Sequence, residues 1–324
     1  MFPIDRRILL GGGLGLVAAR GASAQIVPRN GRIIIGFPAG GSSDIVARLY
    51  AERLRGIYAP NLVVEGRVGA AGRIAVEFVR DTDKDGTTYL QTPASMLTLQ
   101  PHIFPREVRY DALTDFIPIS TVATFPFAFC VPMAHPARNL AEFAAWARAQ
   151  PNEIPYASPA AGAAPHFMGL MLAHALGIRM THVVYRGAVP AVQDLVAGRL
   201  NAFMGVLGDV TPQLGVGLRI LALSSAARNP RYADVPTFQE LGHPTLTKEE
   251  WFGALLPAGT PAPVVQGLFG AITQVAASAE MRAALDRMDF GGATSASPAA
   301  YAAQIRRERE EWGPVVRSSG FTPE

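Results

Sequence analysis

Two loops in this chain of 324 residues carry residues able to do chemistry, and they do it with main chain more than with side-chain charge. Phe37-Pro38-Ala39-Gly40-Gly41-Ser42-Ser43-Asp44 follows an apolar, β-branched run and opens an amphipathic one. Ser158-Pro159-Ala160-Ala161-Gly162-Ala163-Ala164-Pro165-His166 does the same in the second half. Small residues let a ligand approach the backbone closely, and each loop ends where a helix begins. The first N–H groups of a helix lack intrahelical partners, and the helix dipole there favours negative charge. One such loop reads as a tight turn. A pair in matching places reads as an anion site, with the carboxyl ends of two sets of strands facing across a cleft.

Several residues keep two readings. Asp44 is first an N-cap and second a ligand contact. His166 either packs its loop or donates to a ligand. Arg186, in the loop Tyr185-Arg186-Gly187-Ala188, either attracts an anion or is a surface charge. Asp209, in Gly208-Asp209-Val210-Thr211-Pro212, is first a cap for the helix that follows and second an acceptor for a ligand amine or hydroxyl. Phe37 either lines the cleft or ends a core strand.

Enzymatic constellations are missing. His102, His135, His166, His174, His182 and His243 include no HxH, HxxH or HExxH spacing, so no zinc site is expected. The two lysines, Lys84 and Lys248, lie in polar turns unsuited to a Schiff base. No G-x-S-x-G elbow, P-loop or dinucleotide fingerprint occurs, so no cofactor is expected. Cys130 is alone in an apolar run and reads as a buried small side chain. A hydrolase using Ser42, Ser43 or Ser158 with His166 is the minor enzymatic alternative.

The elements that must position these loops alternate strand, loop and helix. Strands are expected at 32–37, 62–65, 88–92, 154–157, 181–185 and 219–224, with a long apolar one near 125–131. Helices are expected at 44–54, 73–80, 140–150, 166–176 and 190–197, with more after the Pro-rich stretch at 244–263. Alternation of this kind implies mostly parallel sheets covered on both faces. Two batches, before Leu99 and after Ile154, imply two lobes joined by two crossing segments. The expected division is 25–126 plus 249–324 for the first lobe and 127–248 for the second.

The first 24 residues read as a secretory signal of the twin-Arg type. Arg6-Arg7 precedes a short apolar run, and Ala22-Ser23-Ala24 offers a cleavage site before Gln25. The whole chain has 29 basic against 26 acidic residues. Removing Arg6, Arg7, Arg20 and Asp5 leaves 26 against 25, close to neutral, with no nucleic-acid footprint. No later apolar stretch is long enough to span a bilayer, so the mature chain is expected to be soluble in the periplasm.

Three stretches carry a resemblance to a known family: IIIGFPAGGSSDIVARLYAERL, VVEGRVGAAGRIAVEFV and YASPAAGAAPHFMGLMLAHALGIRMTHVVYRGAVPAVQDLVAGRLNAF. With RILALSSAARNPRYADVPTFQELG and WFGALLPAGTP, they resemble the substrate-binding proteins of tripartite tricarboxylate transporters, also called Bug receptors. The resemblance implies a type II periplasmic binding fold, a Venus flytrap of two doubly wound lobes joined by two hinge strands. It implies capture of a small carboxylate for transport, with integral membrane transporter subunits as partners and a monomeric receptor; the alternative partner is a sensor kinase ectodomain. It also implies that Pro93-Ala94-Ser95, Arg186-Gly187 and the stretch near Asp209 complete the pocket made by residues 37–44 and by Ser158, Ala160, Gly162, Ala163 and His166. The chain departs from the family where Ala160-Ala161-Gly162-Ala163 replaces a common Gly-x-Gly-Ser, and where Gly36 replaces the first Pro of Pro-Phe-Pro.

Overall fold

A computed structural model describes residues 25–318; the expected export signal at 1–24 lies outside the described residues. The strands are β1 (Gly31–Ile35), β2 (Leu62–Gly66), β3 (Thr88–Pro93), β4 (Phe116–Pro132), β5 (Ile154–Ser158), β6 (Met180–Val184), β7 (Ala202–Val206), β8 (Leu218–Leu223) and β9 (Glu249–Pro257). The helices are α1 (Ser42–Leu54), α2 (Arg73–Arg80), α3 (Ala94–Thr98), α4 (Gln100–Ile103), α5 (Leu140–Arg148), α6 (Ala164–Leu176), α7 (Ala188–Val196), α8 (Leu207–Val210), α9 (Ala262–Ala277), α10 (Ala279–Asp286) and α11 (Pro298–Ser318).

The strands run in the order β2-β1-β3-β9-β4-β7-β5-β6, with β8 pairing β4. Within each half the outer pairs are parallel: β1 with β2 and β3, and β5 with β6 and β7. The mostly parallel arrangement expected from the alternation is corrected at the centre. β9 runs antiparallel to β3 and β4, and β4 runs antiparallel to β7 and β8. The reason is connectivity: β4 carries the chain from one half to the other and β9 brings it back, so the two crossings must oppose each other.

β4 is far longer than the apolar run at 125–131 indicated. It has 17 residues, and Phe116–Pro126 faces β9 across two register shifts. Pro118 and Pro126 cannot donate to the ladder, and Ser120, Thr121 and Thr124 break the apolar pattern, so its first part did not read as a strand. β7, a buried apolar pentapeptide after α7, was also not expected.

The two halves repeat one unit three times. β1-α1, β2-α2 and β3-α3 correspond in order to β5-α6, β6-α7 and β7-α8. α1 and α6 each have 13 residues and follow the middle strand of their half. The buried strands, such as Ile33, Ile34 and Ile35 of β1, supply the core that fixes where the loops at their carboxyl ends lie.

Candidate functional site

Those loops meet at an inner cavity whose empty space, open mouth included, is about 550 Å³. The first half contributes Phe37, Pro38, Gly41, Ser42, Ser43, Pro93 and Ser95. The second half contributes Pro159, Ala163, Pro165, Gly187, Ala188, Val189, Val206 and Asp209. The crossing strands add Phe125, Phe127, Glu250 and Phe252. An outer vestibule shares Phe37, Pro38, Pro159 and Gly187 and adds residues 68–72, Ala160 and Arg186.

Phe37 is outside β1, which ends at Ile35, and its ring lies against Gly72. Gly72 has φ +98°, and a Cβ there would meet that ring at 3.4 Å. Phe37 thus does not end a strand; half-buried, it packs on the core of the first half and also lines the cavity. α1 begins at Ser42, and Gly41 at its N-cap position offers no side-chain cap. Asp44 sits inside the first turn, so it is not the N-cap. Its carboxylate accepts from Gly40 N–H at 3.0 Å and pairs with Arg48 at 2.9 Å, holding the loop from below. Gln91 fixes the same turn by donating to the Ser43 carbonyl at 2.9 Å.

Asp209 is likewise not a cap for the helix after it. α8 starts at Leu207 with Val206 as N-cap, so Asp209 lies too late in that helix. It caps α1 of the opposite half instead: Ser42 N–H and Ser42 Oγ both donate to Asp209 Oδ1, at 2.8 and 2.6 Å. Burial pushes its pKa up to about 6, and the two bonds from Ser42 offset part of that rise.

Two serine hydroxyls at the cavity are buried. Ser43 is 5% exposed and its Oγ has no hydrogen-bond partner among the described residues, whereas Ser95, 1% exposed, sets its hydroxyl toward the Glu250 carboxyl. Leaving a buried hydroxyl without a partner costs about 1–3 kcal/mol, so Ser43 Oγ calls for an acceptor or donor from outside the chain. Glu250 on β9 accepts from Ser95 N–H at 2.6 Å. Burial pushes its pKa up to about 7; the Ser95 bonds and Lys248 pull it down, while Glu308 adds to the rise.

α6 also starts without a side-chain cap, and Pro165 in its first turn removes one donor. His166 turns away from the cavity wall. Its ring stacks on His182 with centroids 3.8 Å apart, and Nδ1 accepts from Gly162 N–H at 3.1 Å. Burial pushes His166 down to about 4 and His182 to about 3, with the neighbouring ring adding to the fall for His182, so both are neutral. Ser158 Oγ meets His182 Nε2 at 2.8 Å and Ala160 O at 3.2 Å. The hydroxyl has one proton. Both contacts are satisfied when Ser158 donates to the carbonyl and His182 donates to Ser158, which leaves the serine without a base.

Of the residues the sequence singled out, Phe37, Pro38, Gly41, Ser42, Ser43, Pro93, Ser95, Ala163, Gly187 and Asp209 meet at the inner cavity. Ala160 and the exposed Arg186 stand at the vestibule. Ala39, Gly40, Asp44, Ala94, Ser158, Gly162 and His166 form or support loops without lining the inner cavity. Sequence reasoning missed Phe125, Phe127, Glu250 and Phe252. The alternation of Phe125 and Phe127 about Pro126 was a signal, but it is shared with any buried strand.

The glycines also acquire a second use. A Cβ on Gly187, at φ +102°, would meet Pro38 of the other half at 2.8 Å, and one on Gly162, at φ +72°, would meet Phe104 at 2.5 Å. These two glycines admit side chains of the opposite half, so the halves interdigitate at the cleft. Among the described residues no group of His, Cys, Asp and Glu is placed to hold a metal, and no single helix is long and apolar enough to cross a membrane.

Two matched sets of strand-to-helix loops facing one cavity, with two crossing strands behind it, define a two-lobed solute-binding protein. The chain belongs to the TctC family, the tripartite tricarboxylate transporter family receptors, whose pattern matches residues 46–321. It is 30% identical to Protein BugT of Bordetella pertussis over 297 residues, 89% of each chain. The Rhodopseudomonas palustris protein Rpa4515, solved with adipate, is 28% identical with a TM-score of 0.87, covering 91% of this chain and 99% of its own. MatC from the same organism, solved with bound malate, is 26% identical with a TM-score of 0.82, covering 89% of this chain and 99% of its own.

Proposed function

We propose that this chain is an exported periplasmic receptor that closes on a small carboxylate and delivers it to the membrane subunits of a tripartite transporter, without catalysing a reaction. The observation that carries this reading is the buried Ser43 Oγ, which has no hydrogen-bond partner among the described residues, at one cavity beside the start of α1. Hydroxyl and helix N-terminal donors together suit a carboxylate. Two neighbours of this fold were solved with adipate and malate, which supports the ligand class. The non-catalytic part rests on Ser158, fully buried and off the wall of the inner cavity, and on the neutral, stacked His166 and His182, which do not line it either.

The proposed lobes are residues 25–126 with 249–324, and residues 127–248, with β4 and β9 as the hinge strands. A ligand touching both lobes would shift an open–closed equilibrium toward closure. Calorimetric titration of the chain from Gln25 with carboxylates and their neutral amides tests the proposal. Saturable binding of a carboxylate that its amide does not reproduce is the expected result. Binding of neutral or cationic solutes alone would refute it.

A further inference from the structure

Resting on the reading of the inner cavity as a ligand site, we infer that Asp289, in the turn after α10, is a positioning residue that seats the second half so that Asp209 reaches Ser42. Asp289 belongs to the first half, where α10 packs on α9 and α1. Its side chain is 1% exposed, and the groups that reach it come from the second half. Arg231 Nη1 donates to Oδ1 at 3.0 Å, and Asn229 Nδ2 makes a longer contact with the same oxygen at 3.4 Å. Thr211 Oγ1 and Tyr232 Oη lie 2.7 and 2.8 Å from Oδ2. Arg231 also donates to the Asp286 carbonyl at 2.9 Å.

The backbone around this seat is fixed as well. Asp289 holds φ +60°, in the left-handed region, which a residue other than glycine keeps where its surroundings determine it. Thr124 and Gly291 exchange main-chain hydrogen bonds at 2.9 and 2.8 Å, tying the turn to β4 where that strand crosses between the halves. A seat beside a crossing strand lies near the axis on which one half turns against the other, so its bonds persist while the mouth of the cleft opens.

Thr211 links the seat to the cavity. It follows Asp209 in the short α8 segment, and Asp209 Oδ1 accepts from Ser42 at the cavity wall. Gly208, on the other side of Asp209, packs on the same turn: a Cβ there would meet Met288 O at 2.7 Å and the Phe290 ring at 2.9 Å. The Phe290 ring stands 6.1 Å from Phe125 and 6.3 Å from Phe252, two rings that line the cavity. Residues 288–290 therefore hold Asp209 on both sides and back the aromatic wall, while Asp289 itself does not line the cavity.

Amide hydrogen exchange at Ser42, followed by NMR on the ligand-free chain from Gln25, tests the inference. The first main-chain bond of α1 runs from Ile45 N–H to Gly41 O, so the bond to Asp209 is what protects Ser42 N–H. Asp289→Gly suits the left-handed backbone and removes the carboxylate. It should speed Ser42 exchange about tenfold, and should add nothing in an Asp209→Ala background. Asp289→Asn tolerates the same backbone and keeps an acceptor, so it should speed exchange about threefold, and it decides the question if the glycine variant does not fold. Gly198→Ala, strained at φ +72° on an open turn, controls for general loss of stability and should leave Ser42 protected. Parent-like protection of Ser42 in both Asp289 variants would overturn the inference. So would a rise at Ser42 no larger than that of the β5 amides, which would make the role of Asp289 structural only. Titrated with adipate or malate, Asp289→Gly should bind about tenfold more weakly than the parent, with no further loss on top of Asp209→Ala. A parent that binds no carboxylate would refute the underlying reading; the exchange needs no ligand and would still decide whether Asp289 positions Asp209.

Discussion

Ser42 and Asp209 lie 167 residues apart in sequence, yet the N–H and Oγ of Ser42 both donate to one oxygen of Asp209, at 2.8 and 2.6 Å. The acid of one half thus caps the first turn of α1 in the other. It supplies the side-chain acceptor that Gly41 lacks, and the contact exists only when the halves are together. Hydrogen bonds to a charged group contribute about 1.5–3 kcal/mol each, net of the bonds to water they replace.

Asp209→Ala should therefore shift the lobes toward opening and weaken ligand binding by about 30-fold, corresponding to about 2 kcal/mol. Asp209→Asn keeps an acceptor and should recover part of that loss. Calorimetry reads the affinity, and small-angle scattering should give a larger radius of gyration for the alanine variant. Unchanged affinity and radius would mean that the Ser42 contact does not hold the halves together.

The contrast between Asp209 and the loops around it marks what was legible in the sequence. FPAGGSSD and SPAAGAAPH could be placed between strand and helix because small residues, turn formers and apolar periodicity are local signals. The same signals gave α2 its bounds at Arg73–Arg80. Asp209 carries no local trace of a partner in α1, so the cap was assigned to the wrong helix. Phe125, Phe127 and Phe252 were illegible for another reason. They lie on β4 and β9, which cross behind the cavity, and an aromatic facing a cavity has the same pattern as one facing a core. Glu250 sat in LTKEE, which reads as a polar turn; only its pairing opposite Phe125 makes it a buried wall residue.

Gly187→Ala should impair closure more than folding. The substitution carries two costs: strain at φ +102°, and a Cβ 2.8 Å from the Pro38 ring, which has little freedom to retreat. Gly198→Ala isolates the first cost, since Gly198 has φ +72° and nothing within 4 Å of an added Cβ. Each variant should lose about 1 kcal/mol of stability in denaturant titrations. Ligand affinity should fall only for Gly187→Ala. Equal effects on affinity would show that the Pro38 contact is irrelevant to closure.

His166 and His182 should make the protein acid-labile. Burial holds them near 4 and 3, below the ordinary value of 6.5, so the folded state binds fewer protons than the unfolded one. Their contribution is complete above about pH 6.5 and is lost progressively as pH falls from there toward 4. The expected loss is on the order of a few kcal/mol by pH 4. His182→Gln should flatten the decline, read as the midpoint of denaturant unfolding from pH 7 to 4. A midpoint with the same slope in both proteins would assign the acid transition to other groups.

Glu250 should tie ligand affinity to pH in the opposite sense. Its folded value near 7 lies above the ordinary 4.5, so the carboxyl is neutral in the cleft below about pH 7. Burial opposes the charged form most and Glu308 adds to that, while the Ser95 hydroxyl and N–H and Lys248 favour it. In the absence of ligand its contribution to stability is complete below about pH 4.5 and is lost as pH rises through 7. A ligand carboxylate beside it adds a like charge, which favours the neutral form further. Binding above pH 7 must then take up a proton, and affinity should fall by up to about tenfold per pH unit between pH 7.5 and 9. Calorimetry in two buffers of different ionisation enthalpy measures that proton directly. Glu250→Gln, neutral at every pH, should bind with a flat profile and no proton uptake. Parent protein with an equally flat profile would mean that Glu250 stays charged beside the ligand, and the cavity would then be better suited to a ligand with a positive group.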